Sequence, residues 1–191
     1  MFKKFKNYIF HKRAEKYLSA TVRERKFVNY NKARTVLLLF ESDYSEKNPQ
    51  IRKIIFSLQQ DGKKVYAWGF VDKKEVATAI LPDFRILHHK QTDFFHKPAA
   101  SYIDELQNIE FDLLIDLSLR PLLPLQYLAL YANAHCKTGS KNTDLAIGDF
   151  ILDITKKEPS DENIETGENN IDETYLFNQI IFYLKSIQSN D

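Results

Sequence analysis

Cysteine is almost missing from this chain of 191 residues. The single Cys136 excludes an intramolecular disulfide and any cysteine-built metal site, and it suits a reducing cytoplasm. No apolar run approaches the roughly 18 residues of a membrane span. The basic amino-terminal stretch has only Tyr8, Ile9 and Phe10 as an apolar centre, too short for a secretory signal. Glycine is scarce too: of five, none lies in ESDYSEKN, the loop expected after the first strand. A phosphate cradle needs a glycine-rich turn that lets backbone amides approach the anion, and three acids in that loop would repel one. Internal repeats and linker-like stretches are also lacking, which leaves one domain of ordinary size.

Hydrophobic residues make up 43% of the chain and charged residues 28%, so a packed core is within reach. The net charge of +1 hides an asymmetry. Before the first strand, Lys3, Lys4, Lys6, Lys12, Arg13, Lys16, Arg23, Arg25, Lys26, Lys32 and Arg34 face only Glu15 and Glu24. Between Glu158 and Glu173 the pattern reverses, with seven acids and no cation. Either end could serve as an interaction tail, or both could be solvated segments that partly neutralise each other.

Residues 1–30 read as a basic, aromatic-rich helical segment without glycine or proline. Phe2, Phe5 and Ile9 share one helical face, while Ala14, Tyr17 and Leu18 lie on another, so the apolar stripe is split. Such a segment could lie on an anionic membrane, touch nucleic acid, or pack across the domain. An unknown protein or an anionic membrane surface is the expected partner, and nucleic acid is not. The expected location is cytoplasmic, peripheral to the membrane if the segment binds there.

Residues 31–191 read as the α/β domain. TVLLLF (Thr35 to Phe40) is a continuous apolar run and FDLLIDLSL (Phe111 to Leu119) is apolar but for Asp112, Asp116 and Ser118, as expected of central parallel strands covered on both faces. Pro49 suits a first helical turn, and Ile51, Ile54, Ile55 and Leu58 keep a helical period until Asp61-Gly62. KVYAWGF then completes a right-handed βαβ unit. A short helix over Val71 to Ala79 with Asp72 as its cap, and a third strand from Phe84 to His88, come next. Pro98 opens a helix that turns Tyr102, Ile103 and Leu106 inward. A leucine-rich helix over about Leu122 to Ala134 and a short strand ending at Gly139 follow, and DFILDI (Asp149 to Ile154) could add one more. These elements predict a three-layer, Rossmann-like fold with a mainly parallel sheet of about five strands in the order 3-2-1-4-5. The stretch 155–171 is polar and acidic, and is expected to be a mobile loop. A carboxy-terminal helix over 172–189 carries Tyr175, Leu176, Ile180, Leu184 and Ile187, with Asp172 as N-cap.

In an open parallel sheet, ligands bind beyond the carboxyl ends of the strands where the strand order reverses. That point lies between the first strand and FDLLIDLSL. Glu41, Ser42 and Asp43 would arrive from one side, and Asp116, Ser118 and Arg120 from the other. Carboxylates near a hydroxyl and a guanidinium could hold a polar ligand or do acid-base work. The same residues also serve as ordinary caps and loop residues, and no motif names a catalytic residue. Gly139, Ser140 and Lys141 open the turn best suited to an anion, although a plain surface turn reads equally well. His88, His89, Asp93 and His96 match no zinc spacing, and adjacent histidines on a strand point to opposite faces. No metal or cofactor is expected. Cys136 begins an apolar strand and reads as a core thiol.

FDLLIDLS, the leucine-rich helix and ANAHCKTGS resemble the end of the amino-terminal Rossmann-like domain of GT-B glycosyltransferases of the heptosyltransferase type. That resemblance implies a shared half-fold and a crevice, because the second, nucleotide-sugar-binding domain has no room here. From the basic lead helix through DFF-KP, FDLLID and AHCKTG, the chain resembles a family of small uncharacterised bacterial proteins, a domain of unknown function. It implies no activity. The leading expectation is a non-catalytic binding module, and the alternative is a small-ligand binder or degenerate transferase using the crevice.

Overall fold

A computed structural model describes residues 2–42, 49–72, 85–154 and 171–187. Its strands are β1 (Thr35–Glu41), β2 (Lys64–Val71), β3 (Arg85–His88), β4 (Phe111–Asp116), β5 (Ala134–Ser140) and β6 (Phe150–Leu152). Its helices are α1 (Phe2–Ala20), α2 (Pro49–Gln60), α3 (Ala100–Asn108), α4 (Leu123–Tyr131) and α5 (Glu173–Ser186), with a 3-10 turn at His89–Gln91. All six strands are parallel in the order β3-β2-β1-β4-β5-β6. The expected order therefore holds, and DFILDI supplies a sixth strand at the edge.

Strand β1 lies at the centre, with Val36 opposite Leu113 of β4 and Val65 of β2. Its residues from Val36 to Phe40 are wholly buried because both faces of the sheet are covered. Leu37 and Leu39 join Phe10, Leu106, Leu125 and Leu128 under α1, α3 and α4. Val36, Leu38 and Phe40 join Ile54, Leu58, Leu176 and Ile180 under α2 and α5. The period-two alternation of the strand thus feeds two separate cores. Cys136 lies in the second core, and burial raises its thiol to about 11, as a core thiol should behave.

Several boundaries differ from the sequence reading. Strand β4 stops at Asp116 rather than Leu119, because the Ser118 amide turns back to donate to Asp116 Oδ1 at 2.9 Å. Helix α4 ends at Tyr131, three residues early, because Asn133 leaves to bond with Phe111 and Leu106. Asp172 caps α5 by accepting from the Tyr175 amide at 2.8 Å. The expected short helix lies mostly in 73–84, outside the described residues, as does residue 84 of the third strand. Of the expected mobile loop, 155–170 lies outside them as well.

Helix α1 packs on the domain, through a residue the split stripe did not single out. Phe10 and Ala14 are buried, and Phe10 meets Tyr127 of α4 edge-on at 4.8 Å. Tyr17 meets Tyr131 at 4.6 Å. Aromatic pairs of this geometry add about 0.5–1.5 kcal/mol beyond the area they bury.

Candidate functional site

The carboxyl ends of β1, β2 and β4 converge on one guanidinium. Glu41 is the last residue of β1, Asp72 follows β2, and Arg120 sits in the loop between β4 and α4. Arg120 Nε donates to both Glu41 oxygens, at 3.0 and 2.9 Å, and its Nη2 also engages Glu41. Nη2 donates to Asp72 Oδ2 at 3.1 Å as well. These bonds to Glu41, then the two carboxylate charges, raise the affinity of Arg120 for its proton. The other Asp72 oxygen lies 3.0 Å from His89 Nε2. The His89 ring stands edge-on to Phe70 and 5.3 Å from the ring of His96. A chain of polar contacts therefore runs across the sheet from β1 to the turn before α3.

His96 has a left-handed backbone, with φ of 63°. Its turn is built around Asp93, whose Oδ1 accepts from the amides of Phe95 at 2.8 Å and Lys97 at 2.9 Å. The His96 ring faces Lys6 of α1, whose Nζ lies 2.9 Å from Nε2. Burial, and then the charge of Lys6, lower the His96 pKa, so the neutral ring accepts from the ammonium. Between α1 and this network lies a cavity of about 330 Å³. Lys3, Lys6, Asp72, His96 and Arg120 line it, with Phe70 and Leu122 among its apolar walls.

The structure divides the residues expected at the switch point. Glu41 and Arg120 meet. Ser42 is buried, with its amide on the Phe70 carbonyl, and Asp43 lies outside the described residues. Asp116 faces the other way and lines a smaller cavity of about 50 Å³ with Gly139, Ser140, Gln126 and Asn142. Burial pushes the Asp116 carboxyl up to about 6, against the bond from Ser118. Among the described residues the buried Ser118 hydroxyl has no hydrogen-bond partner, while the Ser118 carbonyl accepts from Ser140 Oγ at 2.6 Å and Asn142 Nδ2 at 2.7 Å. Gly139 is needed for close packing here, because a Cβ would stand 2.9 Å from the Asp116 carbonyl oxygen. Ser140 is buried and Lys141 exposed, so the proposed anion turn presents only one of its polar side chains freely to solvent.

Four contributors went unrecognised as site residues in the sequence: Lys6, Asp72, His89 and His96. Asp72 stands just beyond β2, as Glu41 ends β1, so position alone could have flagged it. Lys6 and His96 come from distant segments and carry no local signal. Among the described residues, no group of three or more His, Cys, Asp or Glu side chains could hold a metal ion.

Beside the cavity, α1 and the turn before α3 share an aromatic and cationic surface. Phe2 is 74% exposed, Phe5 50%, Tyr8 58% and Phe94 61%. Phe5 packs against Phe95, with ring centres 6.2 Å apart. Lys6 stands over Phe94 at 4.6 Å and Arg13 over Phe95 at 4.8 Å. Arg13 also pairs with Asp93, and Arg23 is held against Asp149 and the Ala134 carbonyl, so these cations serve the fold. Lys3 and Lys4 form no ion pair among the described residues. No helix among those residues is long and apolar enough to cross a membrane.

Comparison with curated proteins and with solved structures found no match. The family of unknown function DUF6913 matches residues 6–166, from α1 past β6, and the chain belongs to that family.

Proposed function

We propose that the protein is a non-catalytic binding module of the bacterial cytoplasm that docks on an anionic membrane surface through the first turns of α1 and the Phe94–Phe95 turn. One observation carries the reading. A helix that buries Phe10 and Ala14 leaves Phe2, Phe5 and Tyr8 in solvent, beside Lys3 and Lys4, which have no acidic partner among the described residues. Exposed aromatics cost solubility unless an interface takes them up, and contiguous apolar patches mark interaction sites. Aromatic rings suit the level of the headgroups, and each cation near an anionic leaflet is worth about 1 kcal/mol.

Sedimentation with phosphatidylserine vesicles tests the reading. The intact chain should bind them, release as salt rises, and ignore phosphatidylcholine. The double variant Phe5→Ser, Phe94→Ser should lose most of that binding while keeping its melting temperature. Absence of binding by the intact chain, or undiminished binding by the variant, refutes membrane docking. The alternative, a small-ligand binder working at the carboxyl ends of the strands, has its own support in the cavity of about 330 Å³. The likeness to GT-B transferases adds only the crevice to that alternative.

A further inference from the structure

The cavity between α1 and the ends of β2 and β4 has the size of a small-molecule site, since such pockets span roughly 300–1,000 Å³. Its charge is unbalanced. Among the described residues Lys3, Lys6 and Arg120 line it, against Glu41, which holds Arg120 from outside the wall, and the one lining carboxylate, that of Asp72. That carboxylate is already committed to Arg120 Nη2 at 3.1 Å and His89 Nε2 at 3.0 Å. Arg120 is clamped through Nε and Nη2 by Glu41 and Asp72, which fixes the plane of its guanidinium. Its Nη1 forms no hydrogen bond among the described residues.

Lys6 is held as well, between His96 Nε2 at 2.9 Å and the face of Phe94. His96 is carried there by a left-handed residue inside an Asp93-built turn. A non-glycine residue in that region costs on the order of 1 kcal/mol and persists where its surroundings fix it. The result is two cationic heads immobilised on different elements, with a third, Lys3, beside them. Phe70 and Leu122 give the cavity an apolar wall.

We propose that this cavity binds a phosphate monoester with a compact apolar body. The phosphate would take the Arg120 Nη1 edge and the ammonium groups of Lys6 and Lys3, and the body would lie along Phe70 and Leu122. With Glu41 counted, three cations face two carboxylates, and the separate donors of Arg120 Nη1, Lys6 and Lys3 suit a monoester, which carries three acceptor oxygens and about two negative charges at neutral pH. A fixed guanidinium also favours the tetrahedral, multi-acceptor phosphate. Soluble metabolite-like esters and monoester lipid headgroups share this chemistry. The inference goes beyond membrane docking: the cavity shares Phe2 and Lys3 with that surface, but Phe5, Tyr8 and Phe94 are not part of its wall.

Isothermal titration of the full chain with phenyl phosphate tests the site, with inorganic phosphate and short-chain, monomeric phosphatidic acid as further arms. Saturable, salt-sensitive binding of phenyl phosphate, tighter than that of inorganic phosphate, is expected. Lys6→Gln and Arg120→Gln should each weaken it about tenfold or more, the scale of a lost charged hydrogen bond. Lys6 is half-buried on α1 and belongs to neither hydrophobic core, so Lys6→Gln keeps the test valid if Arg120→Gln disturbs folding. Phe5→Ser should bind phenyl phosphate normally even where vesicle binding is lost. Short-chain phosphatidic acid binding tighter than phenyl phosphate assigns a lipid headgroup, and weaker binding assigns a soluble ester. No binding of any of the three by the intact chain, or equal binding by Lys6→Gln and the intact chain, overturns the proposal.

Discussion

Replacing Lys137 with methionine tests how β5 tolerates a cation in its interior. Lys137 is buried, with Nζ donating to the Ala129 carbonyl at 2.6 Å and the Leu130 carbonyl at 3.1 Å, at the end of α4. Burial, reinforced by the charge of Arg23, lowers its pKa from 10.5 to about 7. The folded state therefore binds this proton less tightly than the unfolded chain does. Between about pH 7 and 10.5 the unfolded chain holds more protons, so stability rises with pH across that window. The full penalty for the charged form is at most about 5 kcal/mol, at 1.36 kcal/mol per pH decade. Below pH 7 the lysine is charged in both states and the penalty is constant. Lys137→Met removes the penalty and also the two bonds that satisfy the helix end, which are worth about 1–3 kcal/mol together. Urea denaturation should show the variant as stable as the wild type, or more so, at pH 6. At pH 9.5 only about 1.4 kcal/mol of the penalty remains, so the variant's advantage should shrink by about 3 kcal/mol or reverse. A difference between the two proteins that stays constant from pH 6 to 9.5 refutes the reasoning.

Three further outcomes follow from the packing. Asp116 has its carboxyl pushed from 3.8 up to about 6, so its ionisation destabilises the fold as pH rises through that range. Asp116→Asn should add about 1–3 kcal/mol at pH 7, with the gain vanishing below about pH 4 in denaturant melts. Phe10→Ala should cost about 3–5 kcal/mol through the cavity left against Tyr127, whereas Phe2→Ala should shift the melting temperature hardly at all. Asp172→Ala should cost about 0.5–2 kcal/mol, because the Tyr175 amide loses its acceptor at the start of α5.

The sheet was legible because its evidence is local. TVLLLF is apolar but for its leading threonine and FDLLID is apolar except at Asp112 and Asp116, which is the pattern of strands covered on both faces. The order of the strands followed from the alternation of strands and helices, which marks a doubly wound sheet. The pairing of Glu41 with Arg120 was within reach too, since both stand where the strand order reverses. The rest of the network was hidden for a physical reason. Lys6 and His96 are 90 residues apart and meet only because α1 crosses the sheet and a left-handed turn lifts the imidazole toward it. Neither feature has a periodic signature. The split stripe of α1 misled in a similar way: the helix buries a narrow face centred on Phe10 and Ala14, while its more aromatic flank stays exposed.

Depth-resolved quenching tests membrane docking through α1 most directly. Because Cys136 is buried, a cysteine introduced at an exposed position can be labelled selectively with a fluorophore. Position 5 lies on α1, where an aromatic label takes the place of the Phe5 ring, and position 182, which is 63% exposed as Phe182, lies on α5 across the sheet. With the protein bound to phosphatidylserine vesicles containing brominated lipid, the label at position 5 should be quenched and the label at position 182 should not. Quenching at 182 with none at 5 would contradict the account and move the docking surface to the other face of the sheet.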